Sequence, residues 1–260
     1  MKKHYRRSVI MCIGLICLIC LPPALSHAGE PAAENLIARA WDYMRGNTSV
    51  SVVHMTVHRT DWERKTTIKA WTKGRDHSIF RIIAPKKDKG NGTLKLKRDM
   101  WTYNPKINRV VKIPPSMMSQ SWMGSDFSNN DLSKADTILV DYTHDIVAKE
   151  TDREFTVYVI KSVPRPDAPV IWGMQQLKIR SDGVLMEQAF YDEDMEPVKI
   201  LTTTDIRDIG GRPFPRQWTM RSMDAESEQD YTLLEYESLT FDTPLRDSLF
   251  TLNALRKPAR

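Results

Sequence analysis

The sequence predicts a mainly β protein, an antiparallel meander of about a dozen strands in one domain, with helices or loops covering its apolar face. Apolar and polar residues alternate through most of the chain after residue 50, as in strands with one buried face. Short turns rich in Asp, Gly and Ser separate the runs. Three stretches break the alternation and carry large apolar side chains, so we expect them to cover the sheet; they are residues 31–47, 104–143 and 243–257.

The first 28 residues have the composition of a secretory signal peptide. Four Lys and Arg residues precede an apolar run of 14 residues, and the segment ends in a small residue, Ala28. The run is shorter than the ~20 residues that span a bilayer. No small residue precedes Cys17 or Cys20, as lipid attachment there would require. We therefore expect cleavage after Ala28 and one exported domain over residues 29–260.

The composition after residue 28 excludes several classes of protein. All three cysteines lie in the first 28 residues, so the exported chain has no disulfide, thiolate metal site or cysteine nucleophile. It carries 34 Lys and Arg against 33 Asp and Glu, because four of the 38 basic residues belong to the signal segment. This near-neutral balance does not indicate a nucleic-acid partner.

The first element of the exported chain is predicted to be an amphipathic helix. Apolar residues recur at helical spacing from Leu36 to Met44, Pro31 suits the first turn, and Gly46 suits the end. The period then changes to two. The predicted strands begin with the alternating residues from Val50 to His58 and continue through WERKTTIKAWTK, HSIFRIIA, GTLKLK, MWTY, RVVKI, HDIVAKE, EFTVYVIKSV, MQQLKIR, VLMEQAFY, PVKILTTTDI, FPRQWTMRSM and DYTLLEYESLTF.

Residues 104–143 begin as a strand and become a polar loop with five large apolar side chains: Met117, Met118, Trp122, Met123 and Phe127. The stretch is far longer than the 2–5 residues of an ordinary hairpin loop. Two interpretations remain open. The five side chains either cap the core or form a lid over a lipid-sized cavity, since flexible thioethers conform to flexible acyl chains. A lid held by Met and Trp contacts rather than by polar bonds would open at modest cost.

The C-terminal stretch is the third predicted cover. Pro244 suits a first turn, and four apolar side chains are expected to face inward; they are Leu245, Leu249, Phe250 and Leu252.

The histidines do not indicate a metal site or a catalytic base. His54 and His58 are four residues apart on a predicted strand, ~13 Å along one face, which is too far for one metal ion. His144 near Asp141 and Asp145 has the composition of a base with an orienting carboxylate, but no nucleophile motif accompanies it.

The stretch DFSNNDLSKADT has oxygen-bearing side chains at the spacing of a calcium loop. Asp131 stands where that loop requires glycine, and Thr137 stands where it requires a bidentate glutamate. Helix capping and turn formation by Ser128 and its neighbours explain the composition without a metal. We expect neither a cofactor nor an enzymatic activity.

The run DMWTYNPKINRVVKIPPSMMSQSWMGSDFSNNDL resembles the signature of the outer-membrane lipoprotein-sorting family, the LolA-like proteins of Gram-negative envelopes. The ending DSLFTL is also similar to that family's close, and the resemblance covers nearly all of the chain after residue 28. The residues at matching places are Trp101, Tyr103, Pro105, Arg109, Ile113, Pro114, Met123, Gly124, Ser125, Asp126, Phe127, Asp131 and Leu132.

The resemblance implies an unclosed antiparallel β-barrel of the LolA/LolB type, a strongly curved sheet with helices covering its concave apolar face. The implied function is a periplasmic carrier, or chaperone, that binds the acyl chains of a lipoprotein or lipid in an apolar cavity. Trp101, Tyr103 and Ile113 then join the five side chains named above as candidates for lining the cavity or its lid.

The partners that the resemblance implies are lipoprotein or lipid acyl chains and an inner-membrane transporter of the resistance-nodulation-division type. The protein is expected to act as a monomer, without nucleic acid. The alternative is a non-enzymatic regulatory or accessory protein of the same fold, either an envelope-stress sensor or a transporter partner. Kinship of fold does not choose the cargo.

Overall fold

A single antiparallel sheet organises the chain, and its two outermost strands do not meet. The computed structural model describes residues 31–223 and 229–257, which belong to one unit. The predicted signal peptide and its cleavage site lie outside the described residues. In the part described, thirteen strands run in the order β6-β5-β4-β3-β2-β1-β13-β12-β11-β10-β9-β8-β7.

The strand bounds follow the alternating runs closely. They are β1 Thr48–His58, β2 Glu63–Lys73, β3 His77–Ala84, β4 Gly92–Leu96, β5 Asp99–Asn104, β6 Arg109–Lys112, β7 Tyr142–Asp152, β8 Phe155–Pro164, β9 Met174–Arg180, β10 Leu185–Tyr191, β11 Pro197–Ile209, β12 Arg212–Ser222 and β13 Tyr231–Phe241. On β1 the buried residues are Val53, Met55 and Val57 on one face, as the period of two predicts. Gly210 and Gly211 both have positive φ in the tight β11–β12 turn.

The helices are few and short. Helix α1 spans Ala33–Arg45, α2 spans Asn129–Ser133 and α3 spans Leu252–Leu255. Helix α1 begins two residues after Pro31 and ends at Gly46, whose φ is 63°. Single 3-10 turns occur at Pro115–Met117, Trp122–Gly124, Ala135–Leu139 and Asp247–Leu249. None of the helices among the described residues is long and apolar enough to cross a membrane.

Helix α1 covers one half of the sheet. Its apolar side chains pack against Ile160, Leu177 and Leu185 of the strands from β8 to β10. Burying each large apolar side chain stabilises the folded chain by roughly 1.5–3 kcal/mol. The predicted amphipathic face is therefore confirmed; its buried members are Ala33, Leu36, Ile37, Ala40 and Trp41.

Residues 113–141, hereafter the covering segment, join the two edge strands β6 and β7. The chain travels outward from β1 to the edge at β6, crosses to the far edge at β7, and returns to β13 beside β1. The length of the segment thus has a topological cause, because it crosses the face that α1 also covers. Its central side chain, Trp122, packs with Met55, Ile68 and Met100 of the sheet.

The C-terminal segment lies on the opposite, outer face. Phe250 and Leu255 are 4% and 0% exposed and pack against Trp71, Ile79 and Leu94. Successive residues of a strand point to opposite faces, so Trp71 faces away from the side chains that Trp122 contacts. The expectation that this segment covers the concave face is wrong. Leu252, expected to face inward, is 38% exposed, and Leu255 takes its place.

Candidate functional site

Two adjoining cavities lie between the concave face of the sheet and its covers, with volumes of about 310 Å³ and about 200 Å³. The larger is floored by β1, β2, β3 and β13, and the smaller by the strands from β9 to β12. The residues that border both are Met44, Arg45, Phe127, Asp131, Ala135 and Trp218. Helix α1, the covering segment and β12 therefore meet at the wall between the cavities.

The lining of both cavities is mostly apolar. Val53, Ile68 and Leu234 line the larger cavity together with aromatic and aliphatic residues of the covering segment. Leu201 and Phe190 do so in the smaller one. An apolar lining with a few polar groups is the usual composition of a small-molecule site.

A third cavity of about 350 Å³ lies between the covering segment and β2, β4 and β5. The covering segment contributes Ile113, Met117, Trp122 and Met123 to it, and Arg64 and Asp88 make its opposite wall more polar. The indole Nε1 of Trp122 donates to Thr93 Oγ1 at 3.1 Å. That bond satisfies the polar atom of a side chain that is only 6% exposed.

Six of the eight site residues predicted from the sequence lie over the concave face. Trp122 is buried, Met118, Met123 and Phe127 are half-buried against the cluster around Met55, and Ile113 packs beside them. Met117 borders the third cavity but remains 43% exposed. The segment does not project as an exposed hairpin. Among its members, both adjoining cavities are bordered by Phe127, Asp131 and Ala135, the larger one alone by Trp122 and Leu132, and the smaller one alone by Asn130, Lys134 and Thr137.

Trp101 and Tyr103 are not in this site. Both contact the outer-face cluster that includes Leu94 and Phe250, and neither borders a cavity described above. Register explains the difference, because Trp101 pairs with Leu94 and shares its face, whereas the neighbouring Met100 packs on the concave side. Trp101 and Tyr103 therefore help to anchor the C-terminal segment on the outer face.

Ionic contacts attach the covering segment to the sheet on both sides. Asp126 accepts from Arg59 Nη2 at 2.9 Å and from Thr232 Oγ1 at 2.6 Å. Asp131 pairs with Lys199 of β11, and both side chains are 7% exposed. The covering segment is thus held by polar bonds as well as by its Met and Trp contacts. Sequence reasoning missed these contacts because the cationic partners lie 67 and 68 residues away.

The acidic stretch from Asp126 has structural roles. Ser128 caps α2 by accepting from the Asp131 backbone, and the Asp131 carboxylate accepts from the Ser128 backbone at 2.7 Å. This reciprocal capping box confirms the predicted cap. Among the described residues, no group of three or more His, Asp or Glu side chains is arranged to hold a metal ion.

His144 is buried on β7 next to a serine. Its Nδ1 lies 2.8 Å from Ser162 Oγ, and Ser162 is 0% exposed. The contact gives the sealed Ser162 hydroxyl a hydrogen-bond partner on the neighbouring strand. Burial lowers the pKa of His144, against the opposing influence of Glu34, so the ring is held neutral.

The polar groups at the larger cavity were not predicted from the sequence. Arg45 ends α1, where a cation complements the helix dipole, and Tyr236 comes from β13. Ser49 and Ser51 alternate with valines in β1, on the face that becomes apolar at Val53. These two serines interrupt an otherwise apolar face, and they are the feature of the sequence that could have indicated a polar part of the cavity.

These features define the class of protein: a strongly curved, unclosed antiparallel sheet with cavities between its concave apolar face and the segments that cover that face. A family model described as "uncharacterized protein" matches residues 74–257, and the chain belongs to that family. No curated protein sequence matches the chain significantly.

Three solved structures share the fold. A DUF1329 family protein from Desulfovibrio piger is 23% identical, with a TM-score of 0.76 over 86% of this chain and 97% of that one. An outer membrane lipoprotein-sorting protein domain from Vibrio parahaemolyticus is 18% identical, with a TM-score of 0.74 over 86% and 98%. A LolA superfamily protein from Nitrosomonas europaea is 20% identical, with a TM-score of 0.70 over 86% and 100%. The LolA-like fold predicted from the sequence is confirmed.

Proposed function

We propose that the protein is a periplasmic carrier that shelters acyl chains of a lipoprotein or lipid in the two adjoining cavities during transport across the envelope. The observation that carries the proposal is a concave apolar face with cavities of about 310 Å³ and 200 Å³ between it and its covers. The shared LolA-like fold supports it. The proposal includes no catalytic step and no cofactor.

The energetics fit a carrier. Each buried methylene is worth ~0.8 kcal/mol, so a chain of about 16 carbons left in water is disfavoured by on the order of 12 kcal/mol. Ile171, which is 41% exposed, borders the smaller cavity beside Trp172. An apolar side chain at the rim offers a first contact for an arriving chain.

A cavity-filling variant tests acyl binding. Ala135 borders both cavities, so Ala135→Phe should place a ring in the shared space and weaken binding of a fluorescent fatty-acyl probe by about tenfold or more. Ala148, which is exposed on β7, supplies the matched control Ala148→Phe with binding unchanged. Equal binding by both variants would place the acyl site elsewhere.

Replacing Met118, Trp122 and Met123 together by serine tests whether these side chains form a lid over the cavity or only part of the core. A lid predicts loss of probe binding that exceeds the loss of folding stability. A core predicts a loss of several kcal/mol in stability, with normal binding by the fraction that remains folded. Because Trp122 is buried among Met55, Ile68 and Met100, the binding of each variant is to be compared at equal folded fraction.

The partners belong to the proposal as well. We propose service to an inner-membrane transporter of the resistance-nodulation-division type and a monomeric carrier, made as one exported domain after cleavage at Ala28. Native mass spectrometry of protein purified from its own envelope checks the transporter partner, the monomeric state and the cleavage site. Bound lipid or lipoprotein supports the carrier, whereas an empty monomer with a membrane partner supports the accessory protein.

A further inference from the structure

The larger cavity is polar at one end and apolar at the other. Strand register places Ser49 beside Thr72 and Thr72 beside Ser78, and all three line this cavity. Val53 pairs with Ile68 four residues further along β1, a distance of about 13 Å. On β1, β2 and β3 the lining therefore changes from hydroxyl-bearing to aliphatic over about 13 Å, whereas β13 places Leu239 beside Ser51 and Tyr236 beside Val53.

Arg45 closes the polar end. Its side chain is 22% exposed, and its Nη1 lies 3.3 Å from the carbonyl oxygen of Arg75 and 3.6 Å from Asp136 Oδ2. Within the described residues, its Nε and Nη2 donate to no partner. Because a guanidinium carries five N–H donors, most of its hydrogen-bonding capacity remains for a ligand.

Charges of both signs lie at this end, where Asp136 and Asp76 act on Lys95. Lys95, which is 2% exposed, lies 3.4 Å from the same Asp136 oxygen that Arg45 approaches. Two cations thus share one carboxylate. Asp131, the carboxylate that borders the cavity, is already paired with Lys199. Burial and the charge of Arg45 lower the pKa of Lys95, and an anion placed here would offset both effects.

Tyr236 adds a neutral donor. Its side chain borders the cavity, and its hydroxyl has no hydrogen-bond partner among the described residues. Burial raises the pKa of Tyr236 to about 12, so the hydroxyl keeps its proton at any physiological pH. Tyr236 is half-buried, and its hydroxyl is free to donate to an acceptor on a ligand that enters the cavity.

We propose that this cavity binds a single-chain amphiphile with an anionic headgroup, which lies against Arg45 and Tyr236 while the chain extends along Val53 and Ile68. A volume of about 310 Å³ is at the small end of ligand sites, which favours one chain over several. The inference rests on the proposed acyl-binding function and names the class of ligand.

The test compares cis-parinaric acid with its methyl ester by fluorescence titration, because the two differ only in the headgroup charge. The parent protein should bind the acid about tenfold more tightly than the ester, as expected for hydrogen bonds to a charged group. Arg45→Met should remove that preference, so that the acid and the ester bind with equal affinity. Arg39→Met, on the exposed face of the same helix, is the control and should keep the preference.

Competition identifies the headgroup. If laurate or dodecyl phosphate displaces the probe much more strongly than dodecanol does, the cavity contains an anion site. The stronger competitor of the two then shows whether the site prefers a carboxylate or a phosphate. Equal binding of acid and ester by the parent overturns the inference while leaving the carrier function intact. If neither probe binds, the carrier function fails too. Should Arg45→Met not fold, Tyr236→Phe replaces it and should reduce the preference about threefold or more.

Discussion

Asp131 and Lys199 form an ion pair that joins the covering segment to β11, and both side chains are 7% exposed. Lys199 also lies over the rings of Trp172 and Phe190, at 4.8 Å and 5.2 Å from their centroids. A charge buried this deeply is costly once its partner is removed. This contact thus attaches the covering segment to the sheet beside the smaller cavity.

Removing one partner of that pair should cost more than removing both. Lys199→Met leaves the Asp131 carboxylate buried without its cation, and we expect a loss of roughly 3–5 kcal/mol in the free energy of unfolding. Adding Asp131→Asn should recover part of that loss, although one bond of the α2 cap weakens. Urea unfolding of the single and double variants measures the coupling. Additive losses would show that the two side chains do not interact.

Trp122 should act as an anchor of the covering segment, and its neighbour Met117 should not. Trp122→Ala removes a buried ring and its bond to Thr93, so we expect a loss of about 3–5 kcal/mol. Met117 is 43% exposed, and Met117→Ala should change stability by less than about 0.5 kcal/mol. Chemical denaturation of both variants measures the two losses of stability. Similar small effects would show that the segment packs loosely.

His144 should make the protein less stable in mild acid. Burial holds its pKa in the folded protein below the ~6.5 of an unfolded chain. As pH falls through ~6.5, the unfolded chain takes up a proton before the folded protein does, so the free energy of unfolding decreases. His144→Gln should flatten this part of the stability profile, which urea unfolding at a series of pH values measures. A parent profile that is flat between pH 7 and pH 5 contradicts the prediction.

Arg81 should hold the C-terminal segment on the outer face. Arg81 is 3% exposed, and its guanidinium donates to the backbone carbonyls of Ala254 and Lys257. Arg81→Met should raise hydrogen exchange in residues 247–257 and leave exchange in α1 unchanged. Lys73→Met serves as the control, since Lys73 is 39% exposed where it pairs with Asp247. Unchanged exchange at α3 in both variants would assign the anchoring to Phe250 and Leu255 alone.

Sequence reasoning succeeded where local pattern decides the structure. The alternating runs located the strands, and the apolar stripe from Leu36 located α1. Sequence reasoning failed where the pairing of strands across the sheet decides which face a side chain lies on. Trp101 and Met100 are neighbours in sequence, yet only the register with β4 tells which of them faces the cavities. The partners of Asp126 and Asp131 lie on distant strands, so the attachment of the covering segment was not readable from one motif.

The placement of β13 between β1 and β12 has a consequence for how the chain is made. The strands from β1 to β6, and those from β7 to β12, are each built by pairing with the strand just before, which needs only short loops. The two sets are joined side by side through β13, the last strand to be synthesised. A growing chain would therefore form two separate half-sheets with exposed edges, and their assembly would wait for β13.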